Sequence, residues 1–293
     1  MSASVLFDAP GPRARRRILL TNIIGILVIV VLLYIVISGL AGKGQMTAEK
    51  WSSLFTANAW VNFLLPGLVN TLKAAALAIV FSVVIGLLLG IGRLSLNKPI
   101  RWVCSILVEF FRAVPVLLMM VFFNIFFSRT GLVPGSDAPF WSVVVGLVCY
   151  NGSVVAELVR SGVNNLPKGQ REAGTAIGLT RGQSLRMIEI PQALTAMLPA
   201  LIGQFVVILK DSALGYIISY NEFLFFARTF GSANANTLQA LVVAAAVFII
   251  INFALTKVAE FVSRRLGSRL GKAGDDEPPV VALGLPPMVP GAK

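Results

Sequence analysis

The sequence predicts an all-α, polytopic membrane protein with six spans. Three observations carry this prediction. Hydrophobic residues make up 56% of the 293 positions and charged residues only 13%, against about 25% charged in a soluble domain. Six apolar runs approach or exceed the ~20 residues a helix needs to cross a hydrocarbon core about 30 Å thick. Lys and Arg residues gather beside these runs on one side, as membrane orientation requires. Open strands would leave backbone groups unsatisfied in lipid, so the spans are helices.

The spans fall at about residues 18–40, 66–92, 102–128, 140–162, 195–219 and 237–262. The first follows a basic segment, residues 1–17, holding Arg13, Arg15, Arg16 and Arg17. A basic start before an apolar run also opens a secretory signal. This run, Ile18 to Leu40, is longer than a signal's apolar region and no Ala-x-Ala site follows, which favours a retained anchor. Counting inward from that end, one side of the membrane receives Arg93, Lys98 and Arg101, then Lys168, Arg171, Arg181 and Arg186, then Arg264, Arg265, Arg269 and Lys272. The other side receives only Lys43, Lys50, Arg129 and Arg228. Both termini are therefore expected in the cytoplasm. From Gly274 the tail carries five prolines and no hydrophobic face, so residues 274–293 are expected to be disordered.

Ionisable groups in or beside spans are costly and point to roles. Glu109 and Arg112 stand near the start of the third span, and Glu157 and Arg160 near the end of the fourth. Each pair has i, i+3 spacing and can bond within its own helix. Interfacial anchoring is one role; pairing between the helices, bracing an inner gate, is the other. Lys210 and Asp211 lie within the fifth span, followed by Ser212. They are either a structural couple or part of a solute path, where a lysine attracts a carboxylate and an aspartate an amine. Adjacent helix residues point about 100° apart, so the two need separate partners. Asn124, Asn151 and Asn252 suit interhelical hydrogen bonds. Asn151-Gly152-Ser153 matches a glycosylation sequon but sits inside a span. Cys104 and Cys149 fall in apolar spans and read as small buried hydrophobes.

The most informative segment joins the fourth and fifth spans, residues 163–193. Gly169 to Ile177 suits a short helix along the membrane surface. Gln170 and Glu172 near its start favour the positive end of the helix dipole. Ala173, Gly174 and Ala176 are small enough to let another surface approach closely. Gly178 stands where a chain reversal needs positive φ. Gly182 to Ile190 gives a second amphipathic stretch, with Leu185, Ile188 and Ile190 on its apolar side and Pro191 as its expected end. Such a segment is a docking element or a hairpin packed on its own protein.

Glu172-Ala173-Gly174, Gly178 and Ile190-Pro191 resemble, at their spacing, the Glu-Ala-Ala loop of ATP-binding-cassette importer permeases. Three further segments resemble the branch of that family that takes up polar amino acids: Phe111-Arg112-Ala113-Val114-Pro115, Ala156-Glu157 with Arg160-Ser161-Gly162, and Leu209-Lys210-Asp211-Ser212-Ala213-Leu214. The similarity covers about residues 66–262, a five-helix permease core of the type I importer kind, with the first span as an addition. The resemblance implies a subunit of the bacterial cell membrane. Its partners would be an ABC ATPase subunit docked on Gly169, Gln170, Glu172, Ala173, Gly174, Gly178 and Pro191, a second permease chain, identical or not, an extracytoplasmic solute-binding protein, and membrane lipid. It implies a polar amino acid as cargo, glutamate-like by preference. It implies no cofactor in this chain, with ATP and its magnesium ion held by the ATPase.

Other classes fit less well. With no histidine and no clustered carboxylates, neither a metal centre nor a general acid–base site is visible, so an enzyme is not expected. Gly267 to Ala273 approaches a phosphate-binding loop but has three residues between its glycines and no Ser or Thr after Lys272. The net charge of +12 accompanies no basic, aromatic-interleaved surface, so nucleic acid is not expected as a partner. An ion channel or secondary carrier working without an ATPase is the alternative. It leaves the loop unexplained, and no internal repeat is visible.

Overall fold

The computed structural model describes residues 11–271. The tail at 274–293 and the first ten residues of the basic N-terminal segment lie outside them. All regular elements among the described residues are helical. Helix α1 spans Pro12–Gly42, α2 Leu65–Arg93, α3 Lys98–Ala113, α4 Val116–Thr130 and α5 Ala138–Asn164. The loop between the fourth and fifth spans holds α6, Lys168–Ala176, and α7, Arg181–Ser184. Then follow α8, Ile190–Asp211, α9, Phe223–Ala233, and α10, Thr237–Gly271. Among the described residues, five helical stretches are long and apolar enough to cross a membrane, and six if the bent pair α3 and α4 counts as one span.

That bent pair corrects the expected straight third span. The two helices meet at 100°. Pro115 has no N–H and biases the residue before it away from helical geometry, and Val114 is extended, with φ −85° and ψ 128°. Helix α3 carries its charges on one side and exposes Trp102, Val103, Ile106 and Phe110 on the other. That division suits a helix lying at an interface rather than one crossing it.

Two compact units can be distinguished. One comprises the described residues up to Leu64 together with Ala227–Val243. In it, α1 buries none of its residues. Short helical turns follow α1, and Leu54, Ala59, Phe230 and Ala240 form a small core. Asn236 donates to the Lys50 carbonyl at 2.9 Å and to the Ser53 hydroxyl at 2.7 Å.

The second unit comprises Leu65–Phe226 and the residues from Ala244 onward. Its centre is α5, which buries Val143, Val144, Leu147, Val155 and Val159. Helix α2 runs parallel to α5 and presses small residues against it. A Cβ on Gly86 would lie 2.5 Å from the Val155 Cβ, and one on Gly90 would lie 2.8 Å from the Val159 Cβ. Small residues four apart let helix backbones approach this closely in lipid, where packing rather than water exclusion drives association. Helix α8 packs on the same helix: Gln204 donates to the Asn151 side-chain oxygen, and Asn151 donates to the Leu147 carbonyl. Asn151 thus makes the expected bond between helices. Asn252 donates only within its own helix, to Phe248, and the side-chain oxygens of Asn124 and Asn252 are buried without a partner. Cys104 and Cys149 are free thiols.

Candidate functional site

The segment 163–193 folds as a helical hairpin tied to the spans. Helix α6 ends in a Schellman turn, in which Leu179 N–H bonds to the Gly174 carbonyl and Gly178 N–H to the Thr175 carbonyl, each at 3.0 Å. Gly178 has φ +80°, the left-handed conformation this turn requires and side chains resist. Thr180 then caps α7 in a reciprocal capping box with Gln183.

Pro191 does not end the second stretch. It occupies the first turn of α8, which runs on to Asp211. Residues Leu185–Glu189 form a π-turn whose last bond runs from Ile190 N–H to the Leu185 carbonyl. The wider turn gives room for a ring that would otherwise crowd the carbonyl four residues back, and the missing N–H costs little at a helix start.

The two halves of the hairpin are held by Glu189, a residue the sequence reading assigned no role. Its side chain is 2% exposed. It accepts from the Ser184 hydroxyl at 3.0 Å and from Arg171 at 3.4 Å, and it pairs closely with Arg181. Arg171 belongs to α6 and Arg181 to α7, so one buried carboxylate clasps both. Gly174 faces inward, where an added Cβ would lie 2.9 Å from Ser184 Oγ. Its small size serves the fit between the halves rather than contact with an outside surface. Gln170 accepts from Gln192 at 3.0 Å.

What the hairpin turns outward is different. Gly169, Glu172, Ala173 and Ala176 are exposed, and so are the large apolar Ile177 and Met187. Glu172 has no hydrogen bond or ion pair among the described residues. On the inner side, Leu185 joins Val155, Val159, Val163, Ala193, Met197 and Leu201 in a buried cluster. The hairpin therefore packs directly on α5 and α8.

At the same end of the spans, Glu109, Arg112, Glu157 and Arg160 come together around a fifth residue, Arg93. The Arg93 guanidinium donates to Glu157 at 2.7 Å and to Glu109 at 2.8 Å. Arg112 lies 3.5 Å from Glu157 and 3.7 Å from Glu109. Arg160 bonds to Glu157 at 2.6 Å within α5. The network ties the ends of α2, α3 and α5. Arg93 entered the sequence reading only as a charge that sets orientation; its partners stand 16 and 64 residues away, beyond any local spacing rule.

Lys210 and Asp211 do not form an ion pair with each other. Both lie in the last turn of α8, where adjacent side chains point about 100° apart, and a 3-10 segment, Ser212–Ile218, follows. Lys210 is exposed and Asp211 half-buried. Ser212 is buried and donates to the Leu209 carbonyl at 2.7 Å.

At the far end of the unit, Glu222 is fully buried and precedes α9. Its carboxylate accepts from the backbone N–H groups of Leu224, at 2.8 Å, and Phe225, at 2.5 Å, as a helix cap does. Burial pushes its carboxyl up to about 7, against the pull of those donors. Nearby, a polar cavity of about 320 Å³ is lined by Asn70, Lys73, Asp137, Phe140 and Tyr220 among others. Neither Lys73 nor Asp137 was singled out from sequence.

The described residues thus form a helical membrane domain with a helical hairpin packed on its spans at one end. Comparison with known proteins shows its family. The family described as binding-protein-dependent transport system inner membrane component matches residues 82–268, and the chain belongs to it. The chain is a multi-pass membrane permease subunit of the ABC importer class, and ATP hydrolysis in this class belongs to a separate subunit. It is 46% identical over 234 residues to the glutamate transport system permease protein GluD of Corynebacterium glutamicum, covering 80% of this chain and 85% of that one. It is 30% identical over 220 residues to the glutamate/aspartate import permease protein GltK of Escherichia coli, covering 73% and 97%. Among solved structures, an amino acid ABC transporter crystallised with histidines matches with TM-score 0.67 and 28% identity, covering 75% of this chain and 100% of that one. Nothing in these findings supports the ion channel or secondary carrier.

Proposed function

We propose that this chain forms half of the membrane pathway of an importer for glutamate or a closely similar acidic amino acid. The observation that carries the cargo is the 46% identity, over most of both chains, to a glutamate permease. A second permease chain supplies the other half, an extracytoplasmic binding protein delivers the solute, and an ABC ATPase holding ATP and magnesium drives the cycle. Both termini and the hairpin face the cytoplasm, as the Lys and Arg distribution requires. The ATPase docks on the outward surface of the hairpin, around Glu172, Ala173, Ala176 and Ile177. Its closure moves the hairpin, and the buried cluster around Leu185 carries that movement to α5 and α8. ATP favours one of two pathway states by binding the ATPases better in that state. The network around Arg93 braces the cytoplasmic ends of the helices. Lys210, Asp211 and Ser212 stand on the solute path, with Lys210 offering its charge to a carboxylate.

Transport into proteoliposomes holding the assembled complex, its binding protein and ATP tests the cargo. Labelled glutamate should accumulate, and unlabelled aspartate should compete better than glutamine or arginine. Uptake of arginine with no uptake of glutamate would refute the assignment. Glu172→Lys tests docking: with no internal partner to lose, it should leave the chain folded while weakening co-purification of the ATPase. Undiminished co-purification and hydrolysis would remove the hairpin from that role.

A further inference from the structure

Between the end of α2, the start of α3 and the end of α5 a cavity of about 730 Å³ opens. Arg93, Lys98, Arg101 and Arg160 line it, with Trp102 and Ser105. The nearest carboxylates, Glu109 and Glu157, are engaged by Arg93, Arg112 and Arg160. Five cations thus stand against two carboxylates in this region. Lys98 has no hydrogen bond or ion pair among the described residues, and Arg101 bonds only to the Ser95 carbonyl, at 3.3 Å.

Arg93 is already committed. Its side chain is 7% exposed. Both terminal nitrogens are spent on Glu157 and Glu109, yet its Nε is buried with no hydrogen-bond partner. That nitrogen is itself closed off, so the call for an anionic oxygen comes from the exposed cations that line the cavity, Lys98 and Arg101, whose charges no carboxylate among the described residues meets. What adjoins the cavity identifies the source of that oxygen. Trp102 is 68% exposed, and the apolar side of α3 continues from it through Val103, Ile106 and Phe110. Exposed Trp and an apolar helix side belong at headgroup level, where basic pockets between helices bind anionic lipid heads.

We infer that this cavity binds the phosphate of an anionic glycerophospholipid, whose acyl chains lie along the exposed side of α3. A free phosphate shares the headgroup chemistry but makes no use of that apolar surface. The site does not depend on which amino acid is carried.

The test uses the full-length chain in nanodiscs of phosphatidylcholine containing a minor fraction of phosphatidylglycerol, followed by native mass spectrometry. The chain should retain phosphatidylglycerol in preference to phosphatidylcholine. Each basic residue near an anionic membrane surface contributes about 1 kcal/mol, so at about 1.4 kcal/mol per factor of ten Lys98→Gln with Arg101→Gln should lower the apparent affinity roughly thirtyfold. Both residues are exposed, so the double variant should elute as the parent does. Arg129→Gln, exposed at the end of α4, should retain lipid like the parent. Inorganic phosphate at tens of millimolar should not displace the lipid. Equal retention of the two lipids, or unchanged retention in the double variant, would each overturn the inference. Full displacement by inorganic phosphate would assign the cavity to a free anion and overturn it too. The comparison of the two lipids on the parent chain stands even if the double variant fails to fold.

Discussion

Glu189→Ala should loosen the hairpin without disturbing the spans. The carboxylate is 2% exposed and so is cut off from water. Its removal leaves the Ser184 hydroxyl, also 2% exposed, with no acceptor; an orphaned buried polar group costs about 1–3 kcal/mol. Breaking a buried ion pair costs about 3–5 kcal/mol when the surviving charge stays buried. Here the survivors can reach water, since the Arg181 side chain is 29% exposed and that of Arg171 52%. Their loss is therefore nearer that of one charge-assisted hydrogen bond, about 1.5–3 kcal/mol. Together the destabilisation is about 3 kcal/mol at the low end of these ranges, felt where α6 meets α7. At about 1.4 kcal/mol per factor of ten that is a roughly hundredfold larger opening equilibrium constant. Hydrogen exchange of the amides of Ile177, Gly178 and Leu179, followed by mass spectrometry in the full-length chain, reads it directly. Glu189→Gln keeps an acceptor for Ser184 and should fall between the parent and the alanine variant. In the assembled transporter the alanine variant should bind the ATPase yet lose much of its solute-stimulated hydrolysis. Exchange within twofold of the parent would refute the claim that this carboxylate clasps the hairpin.

Three further outcomes are expected. Gly178→Val places a β-branched residue at φ +80°, costing about 1–2 kcal/mol; ATPase co-purification should weaken while membrane insertion stays normal, and unchanged co-purification would argue against the turn's importance. Gly86→Val drives a side chain into Val155 and should lower the denaturation temperature of the solubilised chain by overpacking worth about 1–3 kcal/mol or more, whereas Gly203→Ala, with nothing within 4 Å of its added Cβ, should not. Glu222 has a carboxyl raised to about 7, so the folded state holds its proton more tightly than the unfolded chain; stability should fall as pH rises from about 4.5 through 7 and level off above, and Glu222→Gln should flatten that slope in melting curves recorded across the range.

Hydropathy made the spans legible because a helix satisfies its own backbone in lipid and must cross on one long apolar run. Gly178 was legible because one conformation and one residue type suit the turn. The bend at Val114 was present in the sequence as Pro115, yet the apolar run on both sides masked it, since hydropathy does not register a missing donor. Pro191 shows the converse: a proline read as a stop is accommodated by a π-turn that no local pattern announces. Arg93 and Glu189 escaped because each gains its role from partners brought near only by folding. Within the helix pair Glu157 and Arg160, by contrast, spacing alone foretold the bond, at 2.6 Å. Whether such a carboxylate also reaches a neighbouring helix depends on how closely the helices pack, and that depends on glycines whose effect is visible only in three dimensions.

The contact of Gly86 and Gly90 with Val155 and Val159 restricts the motions open to the pathway. Two helices seated backbone against side chain this closely resist a slide or a roll, and they are expected to travel as one body. Spin labels on α2 and α5 would keep one separation in every nucleotide state, and the whole excursion would fall on the joints around them: the Val114–Pro115 elbow and the π-turn that leads into α8. A transporter of this build changes shape as a hinged frame does, with its stiff members intact and its angles redistributed.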